Sequence, residues 1–122
     1  MSKEKFTNGE IFGAYPNLEK LSGLKLPVKV SFQLAKLINA VRQPFQDVDK
    51  VRVGLIQKYG TKKDNQMVIG PESEKWSEFV TEFGELMAIE VELEFDKVIL
   101  PETDETIETS ILMPLMRFVD IK

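Results

Sequence analysis

Leu34, Val41, Val48 and Leu55 stand seven residues apart, with Leu37, Ile38, Phe45, Val51 and Tyr59 beside them in the same pattern. Lys29, Lys36, Gln43, Lys50 and Gln57 fall on the opposite side. Two sides so unlike belong to an amphipathic helix of about seven turns, capped by Ser31 and ended at Tyr59-Gly60. Its apolar side needs a covering layer, so the rest of the chain must supply elements that pack on it. Pro44 sits near the middle, and the expectation there is a bend or a split into a helical hairpin.

The covering elements are readable from local signals. Thr7-Asn8-Gly9-Glu10 fits a capping box, followed by Ile11, Tyr15, Leu18 and Leu21 at helical spacing and a stop at Ser22-Gly23. Pro16 predicts a kink or two short pieces in that helix. Leu24, Leu26, Val28 and Val30 alternate with Lys25, Pro27 and Lys29, the pattern of a short or edge strand. Thr61 to Asn65 is turn material, and Gln66 to Ile69 is a short strand. Gly70-Pro71 opens a helix with Glu72 and Glu74 in its first turn and Trp76, Phe79, Val80, Phe83, Leu86 and Met87 as its apolar stripe. Gly84 within it fits close packing. Ile89, Val91, Leu93 and Phe95 alternate with glutamates, the cleanest strand signal in the chain. Val98 to Pro101 continues that strand or pairs beside it. Glu102 to Glu108 is an acidic loop, and Thr109 or Ser110 caps a last short helix, Ile111 to Val119, interrupted by Pro114. The fold class is α+β in one domain, residues 1–122. It comprises a long, Pro-kinked amphipathic helix, a shorter acidic helix, a small mostly antiparallel sheet and a short C-terminal helix.

With 43% hydrophobic and 30% charged residues the chain is globular rather than disordered. It has no cysteine and no histidine, which excludes disulfides, thiolate nucleophiles, imidazole bases and the usual zinc sites. No nucleophile elbow, phosphate-binding glycine loop or dinucleotide fingerprint is present. No apolar run approaches the ~20 residues that cross a bilayer, and the charged N-terminus does not read as a signal peptide. The expectation is therefore a non-catalytic protein with no cofactor, no metal and no membrane.

Charge is sorted along the chain. Residues 20–63 hold ten Lys/Arg against two Asp/Glu, and residues 64–108 hold fourteen Asp/Glu against two Lys. Blocks of opposite sign attract within a molecule, between copies, or toward a charged partner. The candidate interaction residues follow from the blocks: Lys36, Arg42, Lys50, Arg52 and Lys58 on the basic side, and Glu74, Glu78, Glu82 and Glu85 on the acidic side. Met113, Met116 and Phe118 join them, because a nearly all-apolar segment rich in methionine is an adaptable docking patch or else a cover for the core. The basic block also has enough charge for phosphate contacts, and the acidic block could imitate nucleic acid. Neither is the favoured reading, since no nucleic-acid motif accompanies the lysines and the sequence pI is about 5.0. Glu90, Glu92 and Glu94 share one strand face, where they could hold a hard cation or pair with Lys25 and Lys29 on a neighbouring strand. The lysine pairing is favoured. Glu102, Asp104, Glu105 and Glu108 lack the glycine and ligand spacing of a calcium loop.

The segment from Lys25 to Lys36, the phrase Lys58-Tyr59-Gly60, the run from Trp76 to Leu100 and the short helix around Ile111 to Phe118 resemble a small-protein family encoded by long-tailed bacteriophages (siphophages) and prophages. Pro16 and Pro44 depart from the unbroken helices such relatives would have. The family brings no activity and no functional residues. The resemblance implies a phage-type product made in the bacterial host cytoplasm or carried on the virion, acting by binding. A protein that self-associates or joins a phage assembly leads. A host-directed inhibitor or anti-defence protein using the acidic surface comes second, and nucleic-acid binding through residues 20–63 third.

Overall fold

In the structure, a computed structural model that describes residues 2–101 and 107–121, the chain is α+β, as the sequence predicts. Strand β1 (Ser2–Thr7) leads into helix α1 (Asn8–Ser22), and helix α2 (Val28–Tyr59) follows. Next come β2 (Thr61–Lys63), β3 (Gln66–Val68), helix α3 (Trp76–Ala88), β4 (Glu90–Phe95) and β5 (Val98–Leu100). A short helix α4 (Thr109–Leu112), one 3₁₀ turn (Met113–Leu115) and β6 (Val119–Ile121) close the described chain. Strands pair as β1 with β4 and β2 with β3, both antiparallel, and as β5 with β6, parallel.

The capping box of α1 forms as its residues dictate. The Glu10 amide donates to Thr7 Oγ1 at 3.1 Å, and the Thr7 amide donates to Glu10 Oε1 at 3.0 Å. Neither proline breaks its helix. Pro16 is exposed within the 15 residues of α1, and α2 runs for 32 residues through Pro44 without splitting into a hairpin. An internal proline costs about 3 kcal/mol. Burial of Val41 and Val48 on either side of Pro44 offsets that cost.

Several elements differ from the sequence reading. Leu24 to Val30 is not a strand: the chain is loop up to Pro27, which is the N-cap of α2, and Ser31 lies inside the first turn. Pro27 has no amide to give a ladder, and Val28 is 82% exposed while Val30 is buried, which is no strand alternation. The partner of β4 is therefore β1. Lys3 stands opposite Glu94 and Lys5 opposite Glu92, where Lys25 and Lys29 were expected. Two positive-φ residues, Asp64 (50°) and Asn65 (64°), turn β2 into β3 as a two-residue hairpin. At Gly60 a Cβ would collide with the Ile56 carbonyl and come within 2.6 Å of the Val68 carbonyl, so only glycine lets β3 fold back on the end of α2.

Helix α3 opens at Trp76, not at Pro71. Residues 70–75 form successive turns, with the Ser73 amide on the Gly70 carbonyl at 2.9 Å and the Gly70 amide on Ser73 Oγ at 3.2 Å. Pro114 holds the C-terminal helix to one α turn and one 3₁₀ turn. Val119 sits in β6 opposite Val98, so β5 pairs with the C-terminal strand and does not extend β4. The acidic-loop residues Glu102, Asp104 and Glu105 lie outside the described residues.

The core forms where α1 lies along the first half of α2. Ile11, Leu18 and Leu21 meet Leu34, Leu37 and Val41, all nearly inaccessible. Phe6 from β1, Phe95 from β4 and Phe118 before β6 close one end, with Phe6 and Phe118 stacked at 4.7 Å. Phe118 is 1% exposed, so it belongs to the core and is removed from the candidate docking patch. Arg117 covers this cluster: its guanidinium lies 4.0 Å from the Phe6 ring, reaches Glu10 Oε2 at 2.7 Å and donates to the Lys5 carbonyl at 2.9 Å.

Replacing Phe118 with alanine removes the stacked ring, and urea unfolding is expected to show a loss of about 3–5 kcal/mol. A second expectation concerns acid. The Thr7 backbone amide, with Arg117 contributing, holds the Glu10 carboxyl below its ordinary value of 4.5, against the opposing effect of burial. A depressed carboxyl stabilises the fold fully above that ordinary value and less as pH falls through the folded one. Thermal melts between pH 6 and pH 3 should therefore drop less steeply for Glu10→Gln than for the unaltered chain.

Candidate interaction surface

Burial stops part-way along α2. Its nearly inaccessible residues are Val30, Leu34, Leu37, Ile38, Val41 and Val48, and none follows Val48. From there α2, the β2–β3 hairpin and α3 form a thinner arm. Helix α3 contributes only Phe79 and Leu86 as buried residues, and both hairpin strands are exposed throughout. The arm is fixed at its base through a residue the sequence reading passed over. Asn8, the one buried polar side chain among the described residues, donates from Nδ2 to the Leu86 carbonyl at 2.9 Å, and its backbone amide donates to the Ile89 carbonyl at 2.8 Å. Gly9 beside it faces the same helix end, where a Cβ would make an ordinary contact 3.6 Å from Met87 Cβ. The signal was present as the helix-start pattern Thr7-Asn8-Gly9-Glu10. Nothing local tells a capping segment from a clamp on a helix 78 residues away.

The sequence-predicted basic residues do not share one role. Arg42 stays exposed but is held against α1, donating from Nε to Tyr15 Oη at 3.3 Å and also bonding Asn39. Arg52 binds Asp49 at 2.8 Å and lies 5.8 Å from the Phe12 ring, against α1. These two serve the fold. Lys36 is exposed, 5.8 Å over the Phe32 ring, beside a groove of about 320 Å³ also lined by Leu37, Glu94 and Phe95. Lys50 and Lys58 are exposed and lie eight residues apart on the arm, with Gly54 midway, so the three form one stripe along α2.

On α3, Glu78, Glu82 and Glu85 recur at helical spacing and form a second stripe, with Glu78 and Glu85 exposed. Glu74 is exposed too, in the turns ahead of the helix. The two stripes run side by side, because Lys58 Nζ lies 3.5 Å from Glu82 Oε1. Tyr59, then Glu82, raises the Lys58 pKa. Along the arm this is the ion pair that joins the basic and acidic blocks among the described residues. Exposed pairs of this kind contribute little to stability.

Two apolar features accompany the charges. On α3 the rings of Trp76, Phe79 and Phe83 stack at 5.7 and 5.6 Å, and Val80 is 46% exposed. Met113 and Met116, 67% and 68% exposed, flank a depression of about 310 Å³ that includes Gly13 and Arg117. Among the described residues no group of three or more acidic side chains is placed to hold a metal ion, and no helix is long and apolar enough to cross a membrane. Compared with known proteins, the chain matches no family model, no curated protein and no solved structure.

If the arm's exposed charges serve contacts outside the monomer, removing them should not unfold it. Lys50→Ala and Glu85→Ala are each expected to stay within about 0.5 kcal/mol of the unaltered chain in urea unfolding at high salt, where contacts between molecules are screened.

Proposed function

We propose that this chain is a non-catalytic interaction protein of the phage type, acting by self-association or by joining a phage assembly. The observation that carries the reading is the arm: a basic stripe on α2 lies beside an acidic stripe on α3, and the monomer neutralises them along the arm through Lys58 and Glu82. Charge left this way favours encounter with a complementary surface, and aligned potentials set orientation and partner choice more than raw affinity. The uncovered Val80 and the exposed Met113 and Met116 supply apolar area of the kind adaptable contacts use.

Light scattering at several protein concentrations and ionic strengths tests the proposal. Assembly that weakens as salt rises from about 50 mM to 0.5 M is the expected outcome, because salt screens exposed charges. A monomer under all conditions, together with empty capture from phage structural proteins, would overturn it.

A further inference from the structure

We infer that the face of the arm bearing Lys50, Gly54, Lys58, Glu78 and Glu85 is the contact surface for a second copy of this chain, in a two-fold dimer. This rests on the reading just given and assigns its surface, its partner and its symmetry. The basic and acidic stripes lie next to each other on one face, held in register by the Lys58–Glu82 pair. A face of that design is complementary to itself. When a second copy is turned about an axis parallel to the arm, the basic stripe of each lies over the acidic stripe of the other. That is the condition for an isologous contact, in which residue i meets j and j meets i. A partner of uniform charge would match one stripe and be repelled by its neighbour, whereas a second copy matches both.

Gly54 fits the same assignment. It lies inside α2, where glycine weakens a helix relative to alanine. A Cβ built there would meet no atom within 4 Å, as is also true at Gly13 and Gly84, so the monomer leaves the position open. Gly60, by contrast, is required by two carbonyl groups that leave no room for a Cβ. A residue without a side chain in the middle of the basic stripe lets the helix of a second copy approach closely. The neighbouring Val51, 48% exposed, gains cover on the same approach.

The test uses the full chain in analytical ultracentrifugation, with thermal melts of every variant. The expected species at low salt is a dimer. Gly54→Gln fills the open position with a better helix former, so its melting temperature at high salt, where the dimer is dissociated, should equal or exceed that of the unaltered chain, while its dissociation constant at low salt rises at least about tenfold. Lys50→Glu and Glu85→Lys should each weaken the dimer about tenfold, and a one-to-one mixture of the two should regain the unaltered affinity, because each reversed residue then faces its complement. Assembly that is indifferent to all three changes overturns this surface and leaves self-association standing. Growth into rings or long chains overturns the two-fold arrangement. A monomer at every concentration overturns the dimer, and the broader reading falls with it only when capture from phage structural proteins is also empty.

Discussion

A mismatch in helix length governs this structure. Helix α2 has 32 residues and its principal cover, α1, has 15. At 1.5 Å per residue, α2 extends more than about 20 Å farther than α1 can follow. Over the shared length the interior is closed by Ile11, Leu18 and Leu21 against Leu34, Leu37 and Val41. Beyond it, a helix with an apolar stripe still needs a partner, and α3 folds back to provide one, anchored by Asn8 at its C-terminal end. Two helices bury less than three. Leu55, Ile56, Trp76 and Phe83 stay half-buried as a result, and the charged stripes on the two helices come to lie together on an open face.

The body of the molecule is closed by pieces from both ends of the described chain. Strand β1 brings Phe6 and β4 brings Phe95, while the segment before β6 brings Phe118. Their rings could not tolerate solvent on one side without cost, and Arg117 supplies the cover with its flat guanidinium while its nitrogens reach Glu10 and the Lys5 carbonyl. One side chain thus ties the capping box of α1 to the C-terminal segment. The body owes its closure to this set of contacts, which leaves the arm free of any structural duty at its outer face.

What the sequence disclosed was whatever its residues settle locally. The capping box at Thr7 and Glu10, the stop at Gly23, the period of α2, and the alternation of β4 are all present as read. Errors arose where a local pattern had two solutions and distant contacts chose. Leu24 to Val30 alternates like a strand, yet Pro27 suits the start of a helix as well as it disqualifies a ladder. Ser2 to Thr7 carries only one large apolar residue, Phe6, so β1 is invisible until β4 is there to pair with it. At Pro44 the split into a helical hairpin does not occur, because packing of flanking residues offsets a local penalty. Of the candidate surface, the charges were legible as types and not as placements. Arg42 and Arg52 look like Lys50 and Lys58 in the sequence, but Tyr15, Asp49 and Phe12 engage the two arginines within the monomer.

The Arg117 closure also joins segments far apart in the chain. Glu10 and Arg117 are 107 residues apart, and Phe6 meets Phe118 across a similar span. The α2–hairpin–α3 arm, by contrast, is assembled from neighbouring segments with low loop-closure entropy. Closing the aromatic end of the body therefore carries a larger loop-closure cost than pairing the neighbouring segments of the arm.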